Sequence, residues 1–163
     1  MLIDGEAGAG KSSLAERLGV ALDAPVVHGD DLLEGWSGLA TLSAVVAAVL
    51  APLEQGADSS YEAWDWLAGR RGRRVDVPSS ALLVIEGVGV AQTDARRWAS
   101  LVAYVHAPWE ERLRRGVERD ADAYGDVVEK WRVWDAEERD LHAADGTRHA
   151  ADFVIDGTEP ILD

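Results

Sequence analysis

The chain has 163 residues, 47% of them hydrophobic, no cysteine, and 30 acidic against 16 basic residues for a formal charge of −14. This is the composition of one globular domain, expected to run over residues 1–163, and it excludes disulfides, a thiol nucleophile and cysteine-ligated zinc. No apolar run approaches the roughly 20 residues of a membrane span, no export signal opens the chain, and so acidic a protein is a poor partner for nucleic-acid phosphates; the expectation is a cytoplasmic protein without membrane or nucleic-acid partners.

In chain order, residues 1–3 read as the end of a buried strand, which begins either at Met1 or upstream of it. Residues 5–12, Gly-Glu-Ala-Gly-Ala-Gly-Lys-Ser, match G-x-x-x-x-G-K-[ST] without mismatch. Behind them Leu14, Leu18, Ala21 and Leu22 recur at helical spacing, so the loop stands between a strand and a helix. Glycines let such a loop turn its N–H groups inward, and those donors together with the helix N-terminus stabilise phosphate oxygens. The residues expected to hold the nucleotide are Gly5, Ala7, Gly8, Ala9, Gly10, Lys11, Ser12 and, with less weight, Ser13. Lys11 would reach the β- and γ-phosphates and Ser12 would ligate Mg²⁺. The cofactors implied are ATP and Mg²⁺. No guanine-reading N-K-x-D segment is visible.

A second short strand ends at His28 and leads into Gly29-Asp30-Asp31. Ligands of open α/β sheets bind at that edge. Asp30 is the candidate to orient an attacking hydroxyl or to hold Mg²⁺ through water. Asp31 is a candidate acceptor contact or a plain helix cap, and Trp36 follows on the same segment. Leu39, Leu42, Val46, Val49 and Leu50 mark a helix expected to end at Pro52.

The region of Tyr61, Trp64, Asp65 and Trp66 is irregular. Aromatics around a carboxylate suit a ring-bearing, hydroxylated acceptor, and core packing is the competing reading. Arg70, Arg71, Arg73 and Arg74 form the basic cluster, read as a solvated loop or arm, and Val75-Asp76-Val77 as an edge strand. Residues 81–90 hold a strand covered on both faces, ending at Glu86, a second candidate Mg²⁺ and acceptor ligand. Residues 100–107 hold another such strand.

Beyond Pro108, Arg112, Arg115 and Arg119 recur at i, i+3 and i+7, so one helix face could carry three guanidinium groups. Arg112 would bind the nucleotide, and Arg115 and Arg119 would stabilise the transferring phosphoryl group, in a lid over about 109–125. Surface ion pairs are the competing reading, with Arg114 on the surface. Tyr124, Val127, Val128, Trp131 and Trp134 share a helix face, Gly146 is a plausible stop, and residues 152–156 are a last strand. The four histidines show no metal-ligand spacing and read as structural. Buried strands alternating with amphipathic helices give a three-layer α/β fold with a mostly parallel sheet.

The motifs, in this order, resemble the uridine kinase-like branch of P-loop kinases, including small actinobacterial members, over nearly the whole chain. The resemblance implies a five-stranded parallel sheet, a short helical lid, and ATP-Mg²⁺ as phosphoryl donor to an alcohol. It places Asp30 where those kinases carry the aspartate acting on the sugar hydroxyl, and it matches Glu86 to the glutamate of their "EG" pair. The chain departs from the branch in having Asp31-Leu32-Leu33 after Asp30 and a reduced acceptor-binding hairpin. The resemblance makes a nucleoside, such as uridine or cytidine, the leading acceptor, and the departures bear on the pyrimidine preference. A nucleoside monophosphate, using the arginines of residues 70–74, is the nearest rival, followed by gluconate, shikimate or antibiotic acceptors. The reading from another class is a nucleotide-binding regulatory module without turnover.

Overall fold

The computed structural model describes residues 1–124 and 127–160, without the side chains of residues 121–124. The side chain of Tyr124 and residue 125 of the expected lid lie outside the described residues. The chain runs β1 (Leu2–Gly5), α1 (Lys11–Leu22), β2 (Val26–His28), α2 (Gly29–Leu32), a 3₁₀ turn (Gly35–Ser37) and α3 (Leu39–Glu54). Then come β3 (Ser59–Asp65), β4 (Arg70–Val77), β5 (Val84–Glu86), α4 (Thr93–Arg96) and β6 (Val102–His106). It ends with α5 (Trp109–Tyr124), α6 (Val127–Asp145), α7 (Thr147–Ala150) and β7 (Phe153–Asp156).

Five strands form one sheet in the order β2-β5-β1-β6-β7, and each neighbouring pair is parallel. Alternation along the strands explains the layers. Leu2, Ile85 and Val102 pack on one face with Leu32, Leu42, Val46 and Trp134. Their chain neighbours Ile3, Val84 and Ala103 pack on the other with Ala15, Leu14 and Leu18 of α1. Both faces are therefore covered, as the continuous apolar runs require. The nine helical and strand signals named from sequence for the main sheet and its flanking helices have counterparts here, and the sheet is the five-stranded parallel one expected.

Three boundaries differ; the first is Tyr124, grouped from sequence with Val127–Trp134 but the last residue of α5 rather than part of α6. Pro52 lies inside the last turn of α3, which continues to Glu54, because the Pro52 carbonyl still accepts from the N–H groups of Gln55 and Ala57 at 3.0 and 3.1 Å. The segment read as an arm or edge strand is half of an antiparallel hairpin, β3–β4, separate from the main sheet and packed on α2. No helix among the described residues is long and apolar enough to cross a membrane.

Asp145 ties α4 to the end of α6. Its carboxylate accepts from the Thr93 N–H and hydroxyl and the Thr147 hydroxyl, each at 2.8 Å, and pairs with Arg96. Burial alone would raise its pKa, but these donors outweigh that and hold it at about 2. A depressed carboxyl contributes stability above its unfolded value near 4, lost as pH falls through about 2. Asp145→Asn is expected to cost roughly 1–2 kcal/mol at neutral pH and to flatten the loss of stability between about pH 4 and 2, read by urea unfolding across that range.

Candidate active site

The phosphate loop is built from the end of β1. Gly5 adopts φ 134°, and a Cβ there would stand 2.0 Å from the Val105 carbonyl oxygen, so no side chain fits between β1 and β6. Gly8 and Gly10 also take positive φ, at 76° and 105°. The Lys11 ammonium curls back over the loop to the Glu6 carbonyl at 2.9 Å. At the loop's far side Gly157 presses on Ala9; a Cβ there would stand 1.8 Å from the Ala9 oxygen. Sequence reasoning assigned Gly157 no role, because only the fold brings residues 9 and 157 together.

Buried carboxylates fix this loop. Asp4 is fully buried and accepts from the N–H groups of Gly5 (2.6 Å), Gly89 (2.8 Å) and Ala91 (2.7 Å), with His142 Nε2 at 3.0 Å. Glu6 holds His106 Nδ1 at 2.8 Å and the Ala107 N–H at 3.3 Å. Glu138, 0% exposed, accepts the Ala7 N–H at 2.8 Å. Burial pushes the Glu138 carboxyl upward, while the Ala7 N–H, Lys11 and Arg112 pull it back.

A cavity of about 540 Å³ opens over the loop. Its lining unites Ala7, Gly8, Gly10, Lys11, Ser12 and Ser13 with Asp30, Trp36, Glu86, Arg115 and Arg119. Glu86 is buried and accepts from the Ser12 hydroxyl at 3.0 Å; its same oxygen lies 2.8 Å from His28 Nδ1. That hydrogen bond raises the His28 pKa against the effect of burial. Asp30 opens to solvent through the cavity. Protein crowds it on the remaining sides, and this crowding, with the nearby Glu86 charge, pushes its carboxyl above the ordinary range; Lys11, Arg119 and His28 act in the opposite sense. A carboxyl shifted that way is suited to accept a proton from a hydroxyl.

Hard oxygen donors, the Ser12 hydroxyl beside the Glu86 and Asp30 carboxyls, fit a Mg²⁺ ion that takes its other ligands from phosphate and water. Among the described residues no group of three or more His, Cys, Asp or Glu is arranged to cage a metal, which such an ion does not need.

Several expected site residues stand elsewhere. Arg112 turns inward: it donates to Asp135 at 2.6 Å, Glu138 at 2.8 Å, and the Ala107 and Ala7 carbonyls at 3.1 and 3.2 Å, and it does not line the cavity. Arg115 stays at the loop, donating to the Gly8 and Gly157 carbonyls at 3.2 and 3.1 Å and to Glu111 at 2.8 Å. Arg119 pairs with Asp120 at the cavity wall, and Arg114 lies exposed between Glu111 and Glu118. The Asp30–Asp31 segment is helix α2 itself, beginning at Gly29, so Asp31 is in its first turn rather than its cap.

Asp31 accepts from the Tyr61 hydroxyl at 3.3 Å; burial first and then Asp31 push that hydroxyl up to about 12. Asp65 caps its own turn through the Leu67 and Ala68 N–H groups at 3.0 and 2.9 Å, and Trp64 lies against Gly35 and Arg71. Tyr61, Trp64, Asp65 and Asp31 thus support the wall rather than line it. The lining aromatic of the hairpin is Trp66, whose Nε1–H donates to the Asp30 carbonyl at 3.1 Å. Leu33, Val88, Trp131 and Trp134 complete the apolar side. Trp131 crosses α5 at Gly116, where a Cβ would stand 2.0 Å from the indole, and donates to Asp120 at 3.0 Å.

No family model and no curated protein matches the sequence. Solved structures do. The chain superposes on a candidate fructose transport system kinase from Silicibacter sp. TM1040 with TM-score 0.69 and 20% identity, covering 94% of this chain and 87% of that one. A candidate uridine kinase from Bacillus stearothermophilus gives TM-score 0.64 and 20% identity over 95% and 86% of the two chains. Shikimate kinase from Acinetobacter baumannii, in complex with shikimate, gives 0.54 and 19% over 99% and 83%. The fold is that of the P-loop small-molecule kinases. Within that fold the cavity lies where the strands' C-terminal ends and the first loop meet, between β1 and the crossovers to β2 and β5.

Proposed function

We propose that the chain is an ATP-dependent phosphotransferase that moves the γ-phosphoryl group to a hydroxyl of a small metabolite, with a nucleoside as the leading acceptor. The observation that carries this is the meeting, in one cavity, of Lys11 and Ser12 of the phosphate loop with Asp30, a carboxyl shifted toward proton acceptance. A loop that only bound nucleotide would have no use for the second feature.

In this reading Lys11 and the N-terminal end of α1 would hold the donor's phosphates, and Ser12 and Glu86, with Asp30 through water, would hold Mg²⁺, which would supply charge neutralisation on the phosphates. Asp30 orients the acceptor hydroxyl and takes its proton. Arg115 and Arg119 face the transferring group. A cavity that holds donor and acceptor together would account for much of the rate. The cysteine-free chain would work in the cytoplasm, where ATP and Mg²⁺ are supplied.

The monophosphate alternative loses support from the hairpin. Arg71 is committed to the Asp31, Leu32 and Glu62 carbonyls and to Glu34, and Arg74 to Asp76. None of the four hairpin arginines lines the cavity.

The test is coupled ADP release over nucleosides, nucleoside monophosphates, sugars and sugar acids. Acceptor-dependent release with at least one nucleoside, abolished by EDTA and restored by excess Mg²⁺, is expected. Calorimetric binding of ATP with no acceptor-dependent release anywhere in the panel would instead assign a regulatory nucleotide-binding role.

A further inference from the structure

Helix α2 carries Asp30 and is a single turn, Gly29–Leu32. A helix that short is not stable by itself, and its last carbonyls have no partner within it. The Gly29 carbonyl accepts from the Leu33 N–H at 2.9 Å. The next three carbonyls are each taken by a side chain of the β3–β4 hairpin or its turn. The Asp30 carbonyl accepts from Trp66 Nε1–H at 3.1 Å. The two ends of the Arg71 guanidinium divide the others: Nη1 donates to the Asp31 carbonyl at 3.1 Å, and Nη2 to the Leu32 carbonyl at 2.9 Å. The Asp31 carboxylate accepts from the Tyr61 hydroxyl at 3.3 Å, a third tie to the same hairpin.

Arg71 is itself held in place. Nη1 also donates to the Glu62 carbonyl at 3.1 Å, where the hairpin pairing shifts register between Glu62 and Trp64. Nη2 reaches the Glu34 carboxylate at 3.3 Å, and the guanidinium lies 5.6 Å from the centre of the Trp64 ring. A cation at the carbonyl end of a helical turn is also favoured by the peptide dipoles. Leu32 and Leu33, 0% and 1% exposed, anchor α2 in the core. Apolar burial of that kind has no preferred direction. Hydrogen bonds do, so the carbonyl contacts fix how the turn is rotated on its anchor and hence where the Asp30 carboxyl stands.

We propose that Arg71 is a positioning residue for phosphoryl transfer: by clamping the carbonyls at the end of α2 it holds the Asp30 carboxyl in line with the acceptor hydroxyl, without itself lining the cavity. This rests on the phosphotransferase reading. Misplacing a reacting group by about 1 Å can cost about 10²-fold in rate. Lysine is a poor replacement, because one ammonium lacks the planar fork that spans two adjacent carbonyls. The donor side stays untouched, since the hydrogen-bond partners of Arg71 are residues 31, 32, 34 and 62 and none belongs to the phosphate loop. Trp66 also holds α2, but its indole lines the cavity and would meet the acceptor as well. Arg71 is the member of the clamp whose effect on Asp30 can be measured apart from acceptor contact.

Single-turnover transfer from ATP-Mg²⁺ to the best nucleoside acceptor tests this in Arg71→Gln and Arg71→Lys, each alone and combined with Asp30→Asn, with ATP affinity followed by calorimetry. Each Arg71 variant alone is expected to lower the transfer rate by about tenfold or more, with the ATP Kd within about twofold of wild type. In the Asp30→Asn background the same changes are expected to lower the rate by less than about twofold, because a base already removed cannot be misplaced. Arg71→Lys keeps the charge and the alkyl stem, so it gives the answer if Arg71→Gln does not fold. Equal factors in the two backgrounds, an unchanged rate in the single variants, or a loss of ATP affinity matching the loss of rate overturns the proposal while the phosphotransferase reading stands. Loss of folding in both variants also overturns it, assigning Arg71 to the fold as a whole, as does an Asp30→Asn protein that transfers at the wild-type rate. Absence of transfer to every acceptor in the wild-type protein overturns both.

Discussion

Asp30→Asn is expected to lower kcat with the best acceptor by about 10²–10⁴-fold, the range for losing a general base, with ATP affinity retained. The substitution keeps the size of the side chain and the backbone position. That position is fixed independently of the carboxyl, because the Asp30 carbonyl accepts from Trp66 and α2 begins at Gly29. What is lost is the capacity to take a proton and one negative charge near Lys11, Arg119 and His28. Removal of a merely structural side chain would alter melting temperature and KM together. Removal of the base lowers kcat and kcat/KM by similar factors at unchanged melting temperature. Single-turnover phosphoryl transfer, with ATP binding followed by calorimetry, separates the two. An Asn variant that transfers phosphoryl within about threefold of wild type would leave Asp30 without its assigned chemistry.

The parts of this site that could be read from sequence are those whose chemistry is local. The loop of residues 5–12 is recognisable because its turns and its lysine are specified by covalent spacing alone. Glu86 and Asp30 could be placed because a strand's C-terminal end in a parallel sheet has a fixed address. The aromatic wall could not. Trp36, Trp66 and Trp134 come from a 3₁₀ turn, a hairpin end and a long helix, and nothing in their spacing says they meet at 5.6 Å. Asp65, flanked by aromatics, satisfies two N–H groups of its own turn, a use that short polar side chains find within three residues.

The lid arginines show the same limit in another form. A spacing of three and seven residues fixes direction around a helix, and successive members also climb about 1.5 Å per residue along it. Arg112 and Arg119 point to similar sides of α5 but are about 10 Å apart along it. At the height of Arg112 the neighbour is α6 with Asp135 and Glu138; at the height of Arg119 it is the cavity. Periodicity determines which face a residue occupies, and packing determines what that face meets.

That placement makes Arg112 the position where substitution should cost most stability. Arg112→Ala leaves Glu138, 0% exposed, and Asp135, 8% exposed, without their shared cation. Breaking a buried pair by removing one partner costs about 3–5 kcal/mol, a large share of the roughly 5–15 kcal/mol that holds a typical domain folded. Lysine is not expected to substitute, because a single ammonium cannot reproduce a fork that reaches two carboxylates and two carbonyls. Urea unfolding without nucleotide is the measurement, and a residue acting only on ATP would leave that midpoint unchanged. The triple variant Arg112→Met, Asp135→Asn, Glu138→Gln removes the charges together and should lose less than Arg112→Ala alone, since no unpaired charge stays buried. Glu138 also holds the Ala7 N–H while Arg112 holds the Ala7 carbonyl, so both sides of this loop residue are gripped from the α5–α6 pair. Loosening that grip should raise the KM for ATP even in molecules that remain folded, through a loop no longer held in its phosphate-ready shape.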